Sequence, residues 1–379
     1  MPDTPFGLIA HQGEEARDVL LSFLNEVVSA TEWRVGATVF LPRRKPSTIL
    51  EVTSELDDIS DFVIADPETH RMEMPYDSRG RARDDWRYLS ESNPVVNRNR
   101  FVTRVLRAQV AVDRTVLVSP WLTHGTTPSN RNLRTTLAFA RAADGHELVE
   151  DRTLLYGLAV TESVLASDTL RNTLIDELVD LPQRPIYLRV LITAPRSFMQ
   201  YSNEQALKGL RALAEALQAN GISTVLPQMG LVGWLMLPFG CPSFGTGIAG
   251  SLQRFVPPGG FGRPLEWYFC PSFLGFVLKS EVHQLRSVTG YIDCDCPFCP
   301  QLEFAPGGEW NRRLAGRHYL WWCAKLANES VDPSAPSPQG IQDRIATSQD
   351  FWGEVQQEGL LLDQRSEPLH LEVWSEVVA

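Results

Sequence analysis

Continuous apolar runs alternating with amphipathic stretches constrain this chain more than any other feature. DFVIADP (61–67), RTVLVSP (114–120), TLLYGLAV (153–160) and IYLRVLITAP (186–195) are such runs, the pattern of parallel strands buried on both faces. ATVFLP (37–42) has the same shape, β-branched and closed by proline. Between them Val95–Ala111, Asn132–Ala143, Ser167–Leu178 and Asn203–Asn220 read as helices, the last stopped by Gly221 as a C-cap. Residues 13–31 add an N-terminal helix, with Val19, Leu20, Phe23, Leu24 and Val27 on one face. Further apolar runs at 222–239, 244–250 and 266–278 bring the strand count to about eight. Strand alternating with helix means a parallel sheet, so the expected fold is α/β, a (β/α)8 TIM-like barrel, with a doubly wound open sheet as the other arrangement.

Composition bounds what such a fold can do. The 379 residues are 43% hydrophobic and 21% charged, which excludes disorder as the main state and allows two domains or one barrel with appendages. VDPSAPSPQG (331–340) reads as a linker before a helical segment at 341–362 and an acidic end. The expected division is an N-terminal helix and first strand over 1–60, a barrel body over 61–290, a cysteine-rich subdomain over 291–330, and a linker with a C-terminal helix over 331–379. A net charge of −11 opposes diffuse binding to phosphates, so any nucleic-acid contact needs a local basic patch. No apolar run reaches the roughly 18–20 residues of a membrane span, and the N-terminus lacks a basic start. The expectation is a cytosolic protein.

The six cysteines all lie beyond residue 240, and Cys294, Cys296 and Cys299 fall within six residues. After eighteen intervening residues comes His318, in RRLAGRHYLWWC. Three thiolates and one imidazole make a complete tetrahedral set for zinc, and four protein ligands leave no open position, so the metal is expected to be structural. Cys323 competes as fourth ligand, but five residues beyond His318 on a helix it points about 140° away.

This C-x-C-x-x-C cluster with a later histidine opening an apolar helix resembles the zinc site of tRNA-guanine transglycosylases, barrel enzymes that exchange guanine for a 7-deazaguanine base. FVIADPETH (62–70) is similar to the family strand that ends in an aspartate followed by Ser-Gly-Gly-Phe, of which Asp66 alone is kept. LLYGLAV (154–160) is similar to its Phe-Gly-Ile-Val-Gln strand, with Val160 in the glutamine's place. FGTGIAGSLQRF (244–255) resembles its Gly-Gly-Leu-Ser-Val-Gly turn, with Gly247 and Gly250 as the flexible positions. The family's nucleophilic aspartate lies about two dozen residues before the first cysteine. Here the matching segment is Tyr268-Phe269-Cys270-Pro271-Ser272, and Cys270 stands nearest its place.

Base exchange needs a nucleophile to hold the ribosyl carbon and a second group to handle the departing purine. Asp66 and Cys270 are the catalytic candidates. Asp66 also suits a turn, since Asp-Pro initiates one, and Cys270 also suits a buried core position. His70 and His124 follow strand ends and titrate nearest neutral pH; Glu162 follows another, where it also suits a helix start. Trp121 offers a stacking face or a packing surface. Arg312, Arg313 and Arg317 adjoin the cluster, where they either contact phosphates or balance an acidic chain. The resemblance thus implies a pentosyltransferase handling guanine or 7-deazaguanine bases in tRNA or DNA. The missing aspartate implies the alternative, a degenerate barrel serving as a base-, nucleic-acid- or protein-binding subunit. A small nucleoside or a protein-linked base is a further substrate class, and a protein partner or homodimer is compatible with either reading.

Overall fold

Eight parallel strands close into a barrel in the computed structural model, which describes residues 7–11, 17–43, 45–72, 86, 88, 93–114, 116–125, 131–192, 200–248, 253–255, 266–305, 308–330, 332 and 337–379. The strands are β1 (Gly7–His11), β2 (Val35–Phe40), β3 (Val63–Asp66), β4 (Val116–Val118), β5 (Thr123–His124), β6 (Thr153–Thr161), β7 (Ile186–Leu191), β8 (Thr224–Leu226) and β9 (Ser243–Thr246). Their order is β4-β3-β2-β1-β9-β8-β7-β6, and β4 pairs back onto β6 to close the ring. β4 lies against Thr153–Leu155 of β6 and β5 against Ala159–Val160. The two short strands are therefore one stave, interrupted between Ser119 and Leu122.

Each stave is followed by a helix: Arg17–Ala30, Pro46–Asp57, Arg98–Val110, Arg131–Asp144, Asp168–Val179, Glu204–Ala219, Leu231–Leu235 and Arg312–Glu329. The helix Glu204–Ala219 shows why. Leu207, Leu210, Leu213, Ala214 and Leu217 make one buried stripe, and the Asn203 side chain accepts the Ala206 N–H at its start. Along β7, Tyr187 points into the barrel while Ile186, Leu188 and Val190 pack outward under the helices. Ile9, Ile64, Val116, Val118, Leu155, Ala159 and Val225 fill the interior beside Tyr187.

Eight runs were expected, and eight strands close the ring, but the sets differ by one. The 266–278 run forms β10 (Trp267–Cys270) and β11 (Gly275–Leu278), an antiparallel hairpin outside the barrel. Its place is taken by β1, a five-residue run before the helix Arg17–Ala30 that was not counted among the expected strands. Of 222–239 only Thr224–Leu226 is strand; Gly230, at φ 54°, turns the chain into Leu231–Leu235. The barrel therefore draws two strands from before residue 61 and its last ends at Thr246. The hairpin and the cysteine loop come next, before Arg312–Glu329 packs back on β1 and on the helix Arg17–Ala30. At the C-terminus, Gln339–Gln357 packs on the turn Pro271–Phe273, and His370–Val378 packs on Glu204–Ala219. No described helix is long and apolar enough to cross a membrane.

Candidate metal centre and barrel mouth

The ligand atoms of Cys294, Cys296, Cys299 and His318 all lie within 4.8 Å of one another, a set that could hold a metal ion. His318 Nδ1 is 3.4, 3.3 and 3.2 Å from the Sγ atoms of Cys294, Cys296 and Cys299. A tetrahedral ion with bonds of about 2.3 Å to sulfur and about 2.0–2.1 Å to nitrogen sets the S···N distance near 3.6 Å. A few tenths of an ångström of expansion would seat the ion. Nearby groups hold the set in place. His318 Nε2 donates to the Phe269 carbonyl (2.7 Å), which leaves Nδ1 for the ligand role. The imidazole stacks on Tyr268 at 4.5 Å. The Trp322 indole N–H donates to Cys294 Sγ (3.1 Å), and the Cys296 and Cys299 N–H groups donate to Cys294 and Cys296 sulfurs at 3.4 and 3.3 Å. Hydrogen bonds from Cys296 and then Cys299 hold Cys294 well below the usual thiol range. Burial opposes charge on His318, but its bonds to Cys294 and Cys299 push it up to about 9.

The helix Arg312–Glu329 begins where the Asn311 side chain accepts the Arg313 and Leu314 N–H groups, both at 3.1 Å. It carries His318 into the cluster, while Cys323, fully buried on the same helix, stays outside it. Arg317 ties the helix to the barrel through the Ser22 hydroxyl (2.8 Å). Arg312 and Arg313 are exposed.

The second site is the mouth at the C-terminal ends of the strands. β3 delivers Asp66, fully buried, whose Oδ1 accepts the Glu68 N–H (2.8 Å) and whose Oδ2 accepts the Tyr187 hydroxyl (2.7 Å) and the Arg189 guanidinium. Arg189, also fully buried in β7, reaches the Gln228 side-chain oxygen with its other arm. The rings of Phe40, Trp121, Tyr187 and Phe255 stand 5.4–5.9 Å from its guanidinium carbon. Burial opposes the Arg189 charge, but Asp66, with Tyr187 and Glu68 adding to it, more than restores it, and burial together with Asp66 drives the Tyr187 hydroxyl well above its ordinary pKa. Glu68 at φ 42° and Gln228 at φ 56° flank this ion pair in the left-handed region, a strain held only where the surroundings over-determine it.

Trp121 turns into the barrel at the break between β4 and β5. Its backbone N–H and carbonyl both bond to the Thr69 hydroxyl, at 2.9 and 2.8 Å. Gly157 makes room for it: a Cβ there would lie 2.4 Å from both the Ser119 oxygen and the Trp121 ring. The buried Trp121 indole N–H meets no acceptor among the described residues. His70 stacks over Trp121 at 6.0 Å and meets the Phe255 edge at 4.7 Å. His11, closing β1, accepts the Gln228 N–H (3.1 Å) beside Gly245, where a Cβ would sit 2.4 Å from the imidazole.

Asp66, His70 and Trp121 are thus brought together. His124 is buried in β5, and burial lowers its pKa, which favours the neutral imidazole. Glu162 begins the helix Glu162–Ala166 and accepts the Tyr201 hydroxyl (2.7 Å). Gly247 directly follows β9, and Gly250 lies outside the described residues. Cys270 ends β10 in the hairpin rather than in the barrel; burial pushes its thiol up to about 12 despite opposing hydrogen bonds at Phe273 and Ser272. The sequence reading missed Tyr187, Arg189, Gln228, Glu68 and His11. One signal was available: an arginine inside the apolar run IYLRVL is a charge that burial leaves in need of a carboxylate.

The chain matches no family model and no curated protein. The transglycosylase resemblance therefore rests on its residues alone.

Proposed function

We propose that this chain is a zinc-containing, transglycosylase-like protein that takes a guanine or 7-deazaguanine base of a nucleic acid at its barrel mouth. The observation that carries the reading is the Cys294, Cys296, Cys299 and His318 set beside a closed parallel barrel. Its donors and spacing suit zinc, and four protein ligands give the ion a structural role, clamping the β10 hairpin and the cysteine loop to the helix Arg312–Glu329. At the mouth, Trp121 presents a buried indole donor in need of an acceptor such as a purine carbonyl. The Asp66–Arg189–Gln228 network, with the buried Glu68 beside it, gives that wall fixed polar groups.

Exchange of the base would further require a nucleophile on the ribosyl carbon. Two observations favour the reading in which the base is bound and not exchanged: both Asp66 oxygens are engaged, and Cys270 is held as a thiol. Incubation with radiolabelled guanine and with tRNA and DNA acceptors separates the two. Label entering an acceptor establishes exchange; saturable base binding without incorporation establishes a binding subunit. Neither binding nor incorporation in zinc-replete protein overturns the proposal.

A further inference from the structure

The helices Arg98–Val110 and Arg131–Asp144 pack side by side and carry seven arginines against one carboxylate, Asp144. That carboxylate is already taken by Arg184 outside the pair (2.9 Å). In a chain of net charge −11, this is a strong local reversal of sign. A groove of about 440 Å³ runs between the two helices, with Arg98, Arg131 and Arg134 on its walls and Val95, Ala138 and Phe139 as its apolar lining. All three arginines are exposed, and none lies within ion-pair distance of a carboxylate among the described residues.

Their placement is unfavourable without a ligand. Arg98 and Arg131 are the first residues of their helices, and neither first turn contains an acidic residue. Helix starts carry partial positive charge and favour anions, so two guanidinium groups there repel the helix ends as well as each other. An oxyanion would relieve all of this together. Guanidinium forks fit phosphate oxygens in pairs, and Arg131 and Arg134, at i and i+3, sit on one face of their helix.

The groove also faces the right way. The two helices follow β3 and the β4–β5 stave, so they begin at the strands' C-terminal face, where Asp66, Trp121 and His124 lie. We infer that the groove between these helices holds the phosphodiester backbone of a nucleic-acid strand whose base is presented to the barrel mouth. The choice of a nucleic acid over other polyanions rests on the base-handling reading above; the anion site itself rests on the groove.

Fluorescence anisotropy with labelled mixed-sequence single-stranded DNA and with an RNA hairpin tests this on the full-length, zinc-replete protein. The triple variant Arg98→Ser/Arg131→Ser/Arg134→Ser changes only exposed side chains, and a melting curve checks that it is folded. Three phosphate contacts on a single strand make affinity fall about 20-fold more steeply between about 50 and 200 mM salt than in a variant lacking them. The wild type should show that excess and the triple variant should lose it. The double variant Arg107→Ser/Arg141→Ser, altered elsewhere on the same two helices, should bind within about twofold of wild type. Equal loss in both variants, or binding unaffected by the triple change, overturns the assignment. Equal competition by inorganic phosphate or a nucleoside monophosphate would make this a small-phosphate site, and equal competition by polyglutamate a site for acidic protein; either result overturns the strand reading. Groove-dependent binding without base uptake at the mouth would leave the groove standing and remove the base-handling proposal.

Discussion

Removing the charge of Asp66 should destabilise the barrel by an amount that can be worked from its surroundings. Asp66 and Arg189 are both fully buried, and the guanidinium is ringed by Phe40, Trp121, Tyr187 and Phe255. Asp66→Asn keeps the shape and an acceptor for the Glu68 N–H but removes the carboxylate hydrogen-bonded to Arg189, leaving only the Glu68 charge nearby to oppose it. An unpaired buried charge of this kind costs about 3–5 kcal/mol. At roughly 2.1 cal/mol/K per residue the 379-residue chain has an unfolding entropy near 0.8 kcal/mol/K, so the Tm should drop by about 4–6 °C. Arg189→Met, which strands Asp66 instead, should cost a similar amount. The double variant Asp66→Asn/Arg189→Met removes both charges and should lie well above the sum of the singles, a coupling of about 2–3 kcal/mol in a double-mutant cycle. Differential scanning calorimetry at neutral pH measures all four proteins. Single variants within 1 °C of wild type, or a double variant equal to their sum, would refute the reasoning.

Other consequences follow from the same geometry. Cys296→Ser and His318→Ala should each lower bound zinc far below the one equivalent per chain expected for wild type, measured by elemental analysis, whereas Cys323→Ala should keep it; the reverse pattern would move the fourth ligand to Cys323. Iodoacetamide should label Cys270 no faster than the buried Cys241, as followed by peptide mass spectrometry, because burial holds both as thiols; rapid labelling blocked by a bound base would reopen a nucleophilic role. His370, packed 4.4 Å from Trp374, has its pKa lowered by burial to about 3. The unfolded chain therefore binds the extra proton first, so this contribution is whole above about pH 6.5 and is lost as the pH falls toward 3, a loss of about 2 kcal/mol by pH 5. His370→Gln should flatten that part of the stability profile in urea titrations, and an unchanged slope would count against it.

The barrel was legible because most of the continuous apolar runs, the usual mark of a parallel sheet covered on both faces, were each followed by a helical stripe. What escaped was decided by tertiary pairing. GLIAH and the 266–278 run are equally apolar, yet only the first finds partners on both sides, β2 and β9. The cysteine set was legible because its ligands are chemically unusual and close in sequence, and His318 was separable from Cys323 by helical phase. The mouth was only half legible. Asp66 and Trp121 stand at strand ends where position alone marks them, but their partners Tyr187, Arg189 and Gln228 lie more than 60 residues away along the chain. Only Arg189 leaves a local trace, as a charge inside an apolar run, and no local pattern names the carboxylate that answers it. The resemblance put Cys270 near a catalytic position by its distance from the cysteines, but the antiparallel turn of β10 and β11 removes it from the barrel strands.

Isothermal titration of guanine and of a 7-deazaguanine base into zinc-replete protein tests the central claim most directly, with Trp121→Leu as the comparison. Loss of the indole donor would leave the base's acceptor unpaired and should cost about 1–3 kcal/mol of binding. Wild type should bind one base per chain saturably, and Trp121→Leu should bind it more weakly by about that amount while its zinc content stays at one equivalent. No measurable binding to wild type, or equal affinity in the two proteins, would contradict it.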